Sequence, residues 1–378
     1  MGWNENMEIN YRLLDSGSDA EIQQWLDLYR ICFHETMDRD YWHWLHEKNP
    51  LYRKTKPLVF IAETDSRIIG SVSVIASQIQ VKTHQNQYFL NSCYIYGIMV
   101  HPEFRRQGIS STILQNITNF TKDEGYDLLT VCSTNLYSYQ SLVHAGFTCV
   151  TSFKKSIGYL SLYGLIKNYL PILPRQISKT IGFPLSGIFT LLFPKISHNL
   201  QVRYGDITEF VGEIDKIHGA DYSHSGVYGG RTTPYIQWRF SAPGISSKCL
   251  SLWDGGEMVA YLILDYPDPG KNVLIEDLFA LKDDEHLISI LVSEVVAILK
   301  KANVDSVWTY LIEREGIHSK IFSQRHGFIS HSSGLKTLPM ARFLYLPLKE
   351  NLYNEIFSDE KQWNLMAADS WFFEKSDY

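Results

Sequence analysis

The sequence predicts an α/β fold in two consecutive domains of the same kind, each a mixed, twisted β-sheet flanked by helices. The chain has 378 residues, of which 45% are hydrophobic and 20% charged, enough for two domains with full cores. Residues 93–120 predict a strand, a glycine-containing turn and an amphipathic helix. A second series of the same elements recurs roughly 180 to 195 residues later, and such a repeat indicates a duplicated architecture.

The first half opens with a predicted strand at 8–14 and a predicted helix at 20–33. The helix is inferred from apolar residues on or near one face, namely Ile22, Trp25, Leu26, Tyr29 and Ile31. An aromatic segment follows, Tyr41-Trp42-His43-Trp44. Residues 58–75 then predict an antiparallel hairpin with a polar turn at 64–67.

The turn after the strand 93–100 is where a ligand is expected. The next helix places one set of residues on a single face, Ile109, Ile113, Leu114, Ile117 and Phe120. Its start carries a glycine and small residues, so backbone N–H groups stay uncovered at the positive end of the helix dipole. Arg105 and Arg106 add charged donors for the same anion. The turn predicts a pyrophosphate site, and an ordinary turn with solvated arginines is the alternative.

A second motif begins about thirty residues further on. The apolar run 128–132 is followed by Ser133-Thr134-Asn135, a short helical stretch and Gly146-Phe147. Together the two motifs resemble the GNAT superfamily of acyl-CoA-dependent N-acetyltransferases. The loop of that family is Arg/Gln-x-x-Gly-x-Gly/Ala, matched here by Arg105, Gly108 and Ser110. In the family, a strand, an Asn, a helix and a terminal Gly-Phe form the other side of the CoA cleft.

The resemblance implies two tandem GNAT-like domains, with acetyl-CoA as the cosubstrate of the first. In the family, the splayed end of the motif strand holds pantetheine through backbone bonds. Carried over to this sequence, pantetheine is expected at Ile98 and Val100, and Asn135 is expected to orient it or an acceptor-linked water. The pyrophosphate is expected at the loop residues Arg105, Arg106, Gln107, Gly108, Ser110 and Ser111.

The catalytic groups are less well marked. The family often carries a tyrosine four residues before the terminal glycine to protonate the departing thiolate, and that position here is Leu142. Tyr139, one helical turn earlier, is the candidate acid, with core packing as the alternative. The motif strand carries no acid, so the base is open between a water relay, His144 and a carboxylate of the second half.

The aromatic segment at 41–44 lies in the region that shapes the acceptor side of the cleft in this family. Trp42 and Trp44 are interpreted either as the lining of an acceptor pocket or as core packing, and core packing is the commoner use of such residues.

The second half repeats the elements of the first without the phosphate turn. The predicted elements are a hairpin over 250–264, a strand at 273–281, a helix at 287–299, a strand at 306–312 and the ending Gly327-Phe328. The turn here is 282–287, Lys-Asp-Asp-Glu-His-Leu, whose three acids repel a pyrophosphate and cap the helix themselves. One CoA site per chain is therefore expected. Glu276 and Asp277 are interpreted as serving the acceptor amine or, preferably, as structural or solvated carboxylates.

The predicted domains are 1–150 with the acetyl-CoA site, a linker at 151–200, a degenerate copy at 201–347 and a tail at 348–378. Residues 154–205 are apolar and basic, and no acidic residue occurs between Asp127 and Asp206. One interpretation is peripheral contact with anionic lipid, and the other is a helical linker, which four prolines favour. The polar loop 221–231 is interpreted as a ligand cover or as a connection.

Composition excludes several classes of protein. The net charge of −6 argues against a nucleic-acid partner held by overall electrostatics. The five cysteines are odd in number and lack zinc spacing, which predicts buried thiols, a reducing compartment and no metal site. Without a secretion signal or a membrane-length apolar run, a cytoplasmic location is expected.

The predicted function is transfer of an acetyl group from acetyl-CoA to a primary amine of a small molecule or sugar. Two alternatives remain. Tandem copies of this fold also occur in Fem-type aminoacyl transferases, which use charged tRNA. A non-catalytic acyl-CoA-binding module is suggested by Leu142 and by the degenerate second copy.

Overall fold

The chain forms two compact units that interleave along the sequence. The computed structural model describes residues 8–54, 57–83, 86–133, 135–161, 164–166, 193, 195–220, 226–268, 272–312, 317–330, 341–349, 357 and 363–369. The first unit comprises Met1–Val81, Tyr88–Val150 and Arg342–Glu360. The second unit comprises Lys82–Gln87, Thr151–Ala341 and Lys361–Tyr378.

The described residues form strands and helices in alternation. The strands are β1 (Asn10–Leu13), β2 (Leu58–Thr64), β3 (Arg67–Lys82), β4 (Gln87–Val100), β5 (Leu128–Ser133), β6 (Thr148–Tyr159), β7 (Gln201–Asp206), β8 (Gly226–Gly229), β9 (Ser246–Asp254), β10 (Glu257–Asp268), β11 (Asn272–Ala280), β12 (Ser306–Ile312), β13 (Ile329–Ser330), β14 (Ala341–Pro347) and β15 (Trp363–Asn364). The α-helices are α1 (Asp19–Phe33), α2 (Arg39–His46), α3 (Ile109–Asp123), α4 (Leu136–His144), α5 (Val211–Ala220), α6 (Thr233–Arg239), α7 (Glu285–Lys301) and α8 (Ile317–Lys320).

The sheet of the first unit has the strand order β1-β2-β3-β4-β5-β14. β1 with β2, β2 with β3, and β5 with β14 are antiparallel, whereas β4 and β5 are parallel. The parallel pair is joined by α3, as a parallel connection requires a crossover. The first unit is therefore a mixed sheet flanked by helices, as the sequence predicts.

The sheet of the second unit has the strand order β7-β9-β10-β11-β12-β6, which is the order of the first unit element for element. The pair β11 and β12 is parallel and is joined by α7, and β12 pairs antiparallel with β6. The two units thus share one α/β strand order, as the sequence predicts. The strand 306–312 has the predicted bounds, and the helix is two residues longer at each end than predicted.

The sixth strand of each unit comes from an unexpected part of the chain. Residues Arg342–Pro347 pair with Ser133–Leu128 of β5 and belong to the first unit, although the sequence-based division counts them with 201–347. Residues Phe153–Tyr159 pair with β12 and belong to the second unit, although that division places them in the linker. Strand pairing across such sequence distances is decided by backbone hydrogen bonds, which the order of residues does not show.

Local chemistry explains the turns and one error in the helix prediction. The first hairpin turns at Asp65 and Ser66, and the second at Gly255 and Gly256, all with positive φ as tight hairpin turns require. In α1, Ile31 is 36% exposed, so its predicted place on the buried face is wrong. Nine residues after Ile22, at about 100° per residue, Ile31 lies on the opposite side of the helix.

Parts of the predicted organisation lie outside the described residues. These are most of the basic apolar segment, the loop 221–225 and most of the tail. Within the described part of the chain, the helices are too short or too polar to cross a bilayer. Among the cysteines there, Cys93, Cys132 and Cys249 are buried, Cys32 is half-buried and Cys149 is exposed.

Gly70 on β3 sets how closely α3 approaches the sheet. A Cβ atom at this position would lie 2.9 Å from Cγ2 of Ile109 and 3.1 Å from Cδ1 of Ile113. Ile109 and Ile113 are fully buried and begin the apolar face of α3. The absence of a side chain at Gly70 therefore lets the first turn of α3 contact the sheet directly.

We expect Gly70→Ala to lower the free energy of unfolding by about 1–3 kcal/mol, because the added methyl overpacks a filled core. Chemical denaturation of the full chain measures this. Gly212→Ala is the matched control, since a Cβ there meets no atom within 4 Å and Ala favours the helix. Equal or higher stability of Gly70→Ala would contradict the close packing.

Candidate functional site

A bulge interrupts β4 near its end. Ile95 and Ile98 both pack on the face of α3, in a cluster with Ile109, Ile113 and Leu129. Tyr96 and Met99 pack on the opposite face, in a cluster with Ile22, Trp25 and Trp42. Strict alternation would separate Ile95 and Ile98, so one extra residue lies between them. That residue is Gly97, whose φ of +63° suits the left-handed conformation of a bulge glycine.

β4 and β5 separate beyond this point. Among the described residues, their parallel register runs from Ser92–Leu128 to Tyr94–Thr130. β4 then continues to Val100 and β5 to Ser133. The backbone N–H of Cys132 donates instead to the hydroxyl of Tyr94, at 3.1 Å. Ile98 and Val100 therefore lie on the part of β4 beyond its described pairing with β5.

The turn after β4 leads into an uncapped helix. Nε of Arg105 donates to the carbonyl oxygen of Val100 at 3.1 Å, which ties the turn to the strand end. Arg106 has a φ of +67° and Gly108 a φ of +80°. Gly108 is the N-cap residue of α3, offers no side chain to the first N–H groups, and has no atom within 4 Å of where a Cβ would lie. The first N–H groups of α3 thus receive no hydrogen bond from a capping side chain.

The side chains around this turn are accessible. Arg105, Arg106, Gln107 and Ser111 are exposed and Ser110 is half-buried. An uncapped helix start beside two guanidinium groups attracts an anion, because the partial positive charge of the helix adds to the charge of the arginines. Eight of the nine predicted ligand residues therefore lie on the end of β4, the turn that follows it and the first turn of α3: Ile98, Val100, Arg105, Arg106, Gln107, Gly108, Ser110 and Ser111.

His101 braces this turn, and sequence reasoning missed it. The Nη2 atom of Arg67 lies 2.8 Å from Nε2 of His101, so Nε2 accepts from the arginine. Nδ1 lies 3.7 Å from Oε2 of Glu103. Burial first, and the charge of Arg67 second, lower the pKa of His101. The neutral ring is the form that accepts from Arg67, so the lowered pKa keeps this link intact at neutral pH.

On the other side of the opening, α4 carries the remaining predicted residues. Oδ1 of Asn135 accepts from the backbone N–H of Tyr137 at 2.8 Å and caps α4. Tyr139 is half-buried against the α3 face, and the guanidinium carbon of Arg342 lies 4.9 Å from its ring centre. Leu142 is buried in the core. Nδ1 of His144 lies 2.7 Å from the carbonyl oxygen of Gln140, on the exposed side of the helix.

The aromatic residues proposed for an acceptor pocket are core residues. Trp42 is fully buried and Trp44 is 3% exposed, so neither lines an open surface. Beside Trp42 lies His46, whose burial lowers its pKa to about 3 and keeps the ring neutral. A more accessible pair lies at the bulge, where the hydroxyls of Tyr29 and Tyr96 are 3.2 Å apart.

The second unit repeats this geometry with different side chains. Its parallel register ends at Ile275 and Thr309 among the described residues, and Lys282 has a φ of +60° where the first unit has Arg106. Here, however, α7 begins after Asp284, whose carboxylate accepts from the N–H groups of His286 and Leu287. The predicted self-capping is confirmed. This helix start already holds an anion of its own.

Glu276 and Asp277 lie at the bulge of β11 and are buried ion-pair partners, in agreement with the structural interpretation. Register shifts by one residue there, because Ile263 pairs with Asp277 and Leu264 with Ile275. Asp277 receives Nε and Nη2 of Arg231 at 2.7 and 3.0 Å, and Glu276 pairs with Arg239.

The environment of Glu276 shifts its titration. Burial raises the pKa of Glu276 to about 8; Arg239 opposes the shift, while Asp265 and Asp277 add to it by charge repulsion. Since this pKa lies above its ordinary value near 4.5, the folded chain binds the proton more tightly than the unfolded chain. The contribution of Glu276 to stability is therefore full at low pH and is lost as the pH rises to about 8.

We expect the stability of the wild-type chain to fall more steeply between pH 5 and pH 8 than that of Glu276→Gln, whose side chain does not titrate. Urea denaturation at several pH values measures the slope. Glu257→Gln, at an exposed position of the same unit, should keep the wild-type slope. An identical slope in Glu276→Gln would show that Glu276 is ionised throughout.

Within the described residues, no cluster of three or more acidic, histidine or cysteine side chains suits a metal ion.

Comparison with known proteins identifies this architecture. Residues 14–142 match the family model described as an acetyltransferase (GNAT) domain. No curated protein sequence matches the chain.

Three solved structures illustrate the similarity of fold. A probable N-acyltransferase of unknown function from Enterococcus faecalis has a TM-score of 0.61 at 11% identity, with 91% of this chain and 73% of that chain covered. A tandem GNAT protein of the clavulanic acid biosynthesis pathway has a TM-score of 0.56 at 12% identity, with 91% and 100% covered. Saccharomyces cerevisiae N-myristoyltransferase with bound myristoyl-CoA has a TM-score of 0.58 at 12% identity, with 89% and 78% covered. Residues 14–142 are thus similar to the GNAT acetyltransferase domain, and the chain shares the GNAT fold with these solved structures.

Proposed function

We propose that the protein is an N-acyltransferase that moves an acetyl group from acetyl-CoA to a primary amine of a small molecule or sugar. The observation that carries this proposal is the uncapped start of α3 at Gly108, beside the point where β4 and β5 separate. The second unit has a left-handed residue, Lys282, at the matching place of its turn, but the carboxylate of Asp284 caps its helix start. We therefore place the acyl donor in the first unit alone.

The residues of the turn fit the anionic end of the donor. Backbone N–H groups of α3 and the side chains of Arg105, Arg106 and Gln107 would hold the pyrophosphate, with hydroxyl groups from Ser110 and Ser111. The separated strand end would hold pantetheine through the backbone of Ile98 and Val100. The side-chain oxygen of Asn135 caps α4, so its amide NH₂ group is the part that would donate to a ligand.

The acceptor must lose a proton before it reacts. A lysine-like amine has a pKa of about 10.4 and an α-amine about 8, so at neutral pH most acceptor molecules are protonated. His144 of the first unit is exposed and carries Nε2 away from its bond to Gln140, which makes it a candidate for this step. A water relay is the alternative. For the departing thiolate, Tyr139 is the proposed acid.

The donor is further specified by the length of its acyl chain. The yeast N-myristoyltransferase with a similar fold is described with bound myristoyl-CoA. Acetyl-CoA and myristoyl-CoA should therefore be compared directly, and we propose acetyl-CoA as the better substrate on the basis of the family match.

The experiment that tests the function is release of free CoA thiol from each donor with a panel of amino sugars, amino acids, polyamines and peptides. Amine-dependent thiol release with acetyl-CoA supports the proposal. A rise in melting temperature with acetyl-CoA but no thiol release would indicate a binding module. Transfer from aminoacyl-tRNA without any response to acetyl-CoA would indicate the Fem-type alternative.

We expect Gly108→Asp to weaken acetyl-CoA binding by at least about tenfold, because a carboxylate near the pyrophosphate adds a repulsion of about 1–4 kcal/mol. Gly108→Asn is the matched control, because Asn has nearly the same shape, tolerates positive φ and carries no charge. Isothermal titration calorimetry compares the two. Equal affinities would place the pyrophosphate elsewhere.

We expect Tyr139→Phe to lower kcat about 10- to 100-fold with little change in KM, as loss of a general acid does. Tyr137→Phe on the same helix is the control, because Tyr137 is 80% exposed. If Tyr139 serves only packing, Phe preserves the ring contacts and kcat stays at the wild-type value.

A further inference from the structure

Residues 363–369, near the end of the chain, enter the second unit as an ordered segment. Trp363 and Asn364 form β15, which pairs parallel with Val227 and Tyr228 of β8. Trp363 is fully buried, and Leu365, Met366 and Ala368 are 2%, 5% and 1% exposed. The pairing and the burial together hold this segment inside the unit, although the sequence assigns it only to the tail at 348–378.

The segment passes from one face of the second sheet to the other. Met366 packs in the cluster on the α7 face, which includes Ile275, Leu278 and Leu291. Ala368 packs in the cluster on the α5 face, with Tyr261 and Phe279.

The crossing lies where the two parallel strands have separated. The short helical turn Ala367–Asp369 contacts both β11 and β12. Among the described residues, these strands stop pairing at Ile275 and Thr309. The gap between β11 and β12 is therefore filled by the chain itself.

The crossing ends at the carboxylate of Asp369, which protein groups surround. Oδ1 of Asp369 lies 2.6 Å from Nη1 of Arg231, and Oδ2 accepts from the backbone N–H of Met366 at 2.8 Å. Arg231 is 4% exposed and also holds Asp277 on β11 through two hydrogen bonds. The remaining wall is Gly229, where a Cβ atom would come within 1.6 Å of Oδ1 of Asp369. Only a glycine leaves room for this carboxylate.

From this arrangement we infer that the second unit contains a peptide-carboxylate site, and that its ligand is the chain's own segment 363–369. β8 supplies the edge for strand addition, the gap between β11 and β12 takes the apolar residues, and Arg231 takes the carboxylate of Asp369. The corresponding gap of the first unit is the one proposed for pantetheine. The inference does not depend on acyl transfer, since every contact lies within the second unit.

Arg231 supplies the positive charge that meets the carboxylate of Asp369. Arg231 faces Asp277 and Asp369, and Tyr261 donates its hydroxyl proton to Asp277 at 2.8 Å. Burial opposes ionisation of Asp277, but Arg231 lowers the pKa of Asp277 overall. Asp277 therefore stays ionised and paired with Arg231. Burial raises the pKa of Asp369 in spite of Arg231. Asp369 therefore takes up a proton more readily than Asp277 does. Removal of Asp369 therefore leaves an unfilled anion position beside a buried guanidinium.

The test removes the carboxylate and then supplies it from solution. In full-length Asp369→Ala, the segment should leave its site, and trypsin cleavage after Lys361 should accelerate at least about tenfold, since cleavage follows the open population. Mass spectrometry of the released C-terminal peptide measures the rate. Formate or acetate should slow cleavage again in a saturable manner, whereas chloride at equal ionic strength should not.

Two variants make the result specific. Gly229→Ala should release the segment as well, but formate should not restore it, because the added methyl occupies the position of the carboxylate. Asp284→Ala is the matched control, because it removes the same chemical group from the same unit. The carboxylate of Asp284 caps α7 and does not touch the segment. The control should keep the wild-type cleavage rate.

The outcomes decide between a bound segment and a merely packed tail. Unchanged cleavage in Asp369→Ala, or equal effects of formate and chloride, would overturn the inference. If Asp369→Ala does not accumulate as folded protein, Asp369→Asn serves instead. It keeps an oxygen for the Met366 N–H and loses only the charge, so accelerated cleavage there supports the site and wild-type cleavage contradicts it.

Discussion

The first unit depends on the position of one helix start relative to one strand end. Gly70 lets the first turn of α3 contact β3, and Arg105 ties the intervening turn back to Val100. The N–H groups of α3 are thereby held at the end of β4, where Gly97 has already turned the strand away from regular alternation. Close packing, a bulge and a missing cap therefore coincide at the surface where we propose that the anion binds.

The two units differ in how one helix begins. Their strand orders agree, and their turns share a left-handed residue at Arg106 and Lys282. The difference lies at the N-cap position, which is Gly108 in one unit and Asp284 in the other. An aspartate supplies by itself the negative charge and the hydrogen-bond acceptor that the glycine leaves to a ligand. The second unit is further closed by the segment 363–369, which fills the gap between its parallel strands.

Buried charge takes a different role in each unit. In the first, the buried histidine His46 stays neutral, and the arginines of the turn are exposed. In the second, Arg231 and Arg239 are buried with Asp277, Glu276 and Asp369. Such pairs add little net stability but penalise any arrangement that leaves one partner unpaired. They therefore specify how β11 and the C-terminal segment meet, and they leave no free carboxylate at Glu276 or Asp277 for a reaction.

The sequence by itself determined the duplicated α/β fold, the strand-turn-helix order and the self-capped helix of the second unit. These features follow from local periodicity, glycine and capping residues, all of which act within a few positions of one another. Only the tertiary structure decided that Arg342–Pro347 completes the first sheet, that Phe153–Tyr159 completes the second, and that Asp369 reaches Arg231. Those contacts join residues far apart in the chain. They depend on backbone pairing and on space left beside Gly229 or Gly70, and neither leaves a periodic pattern in the sequence.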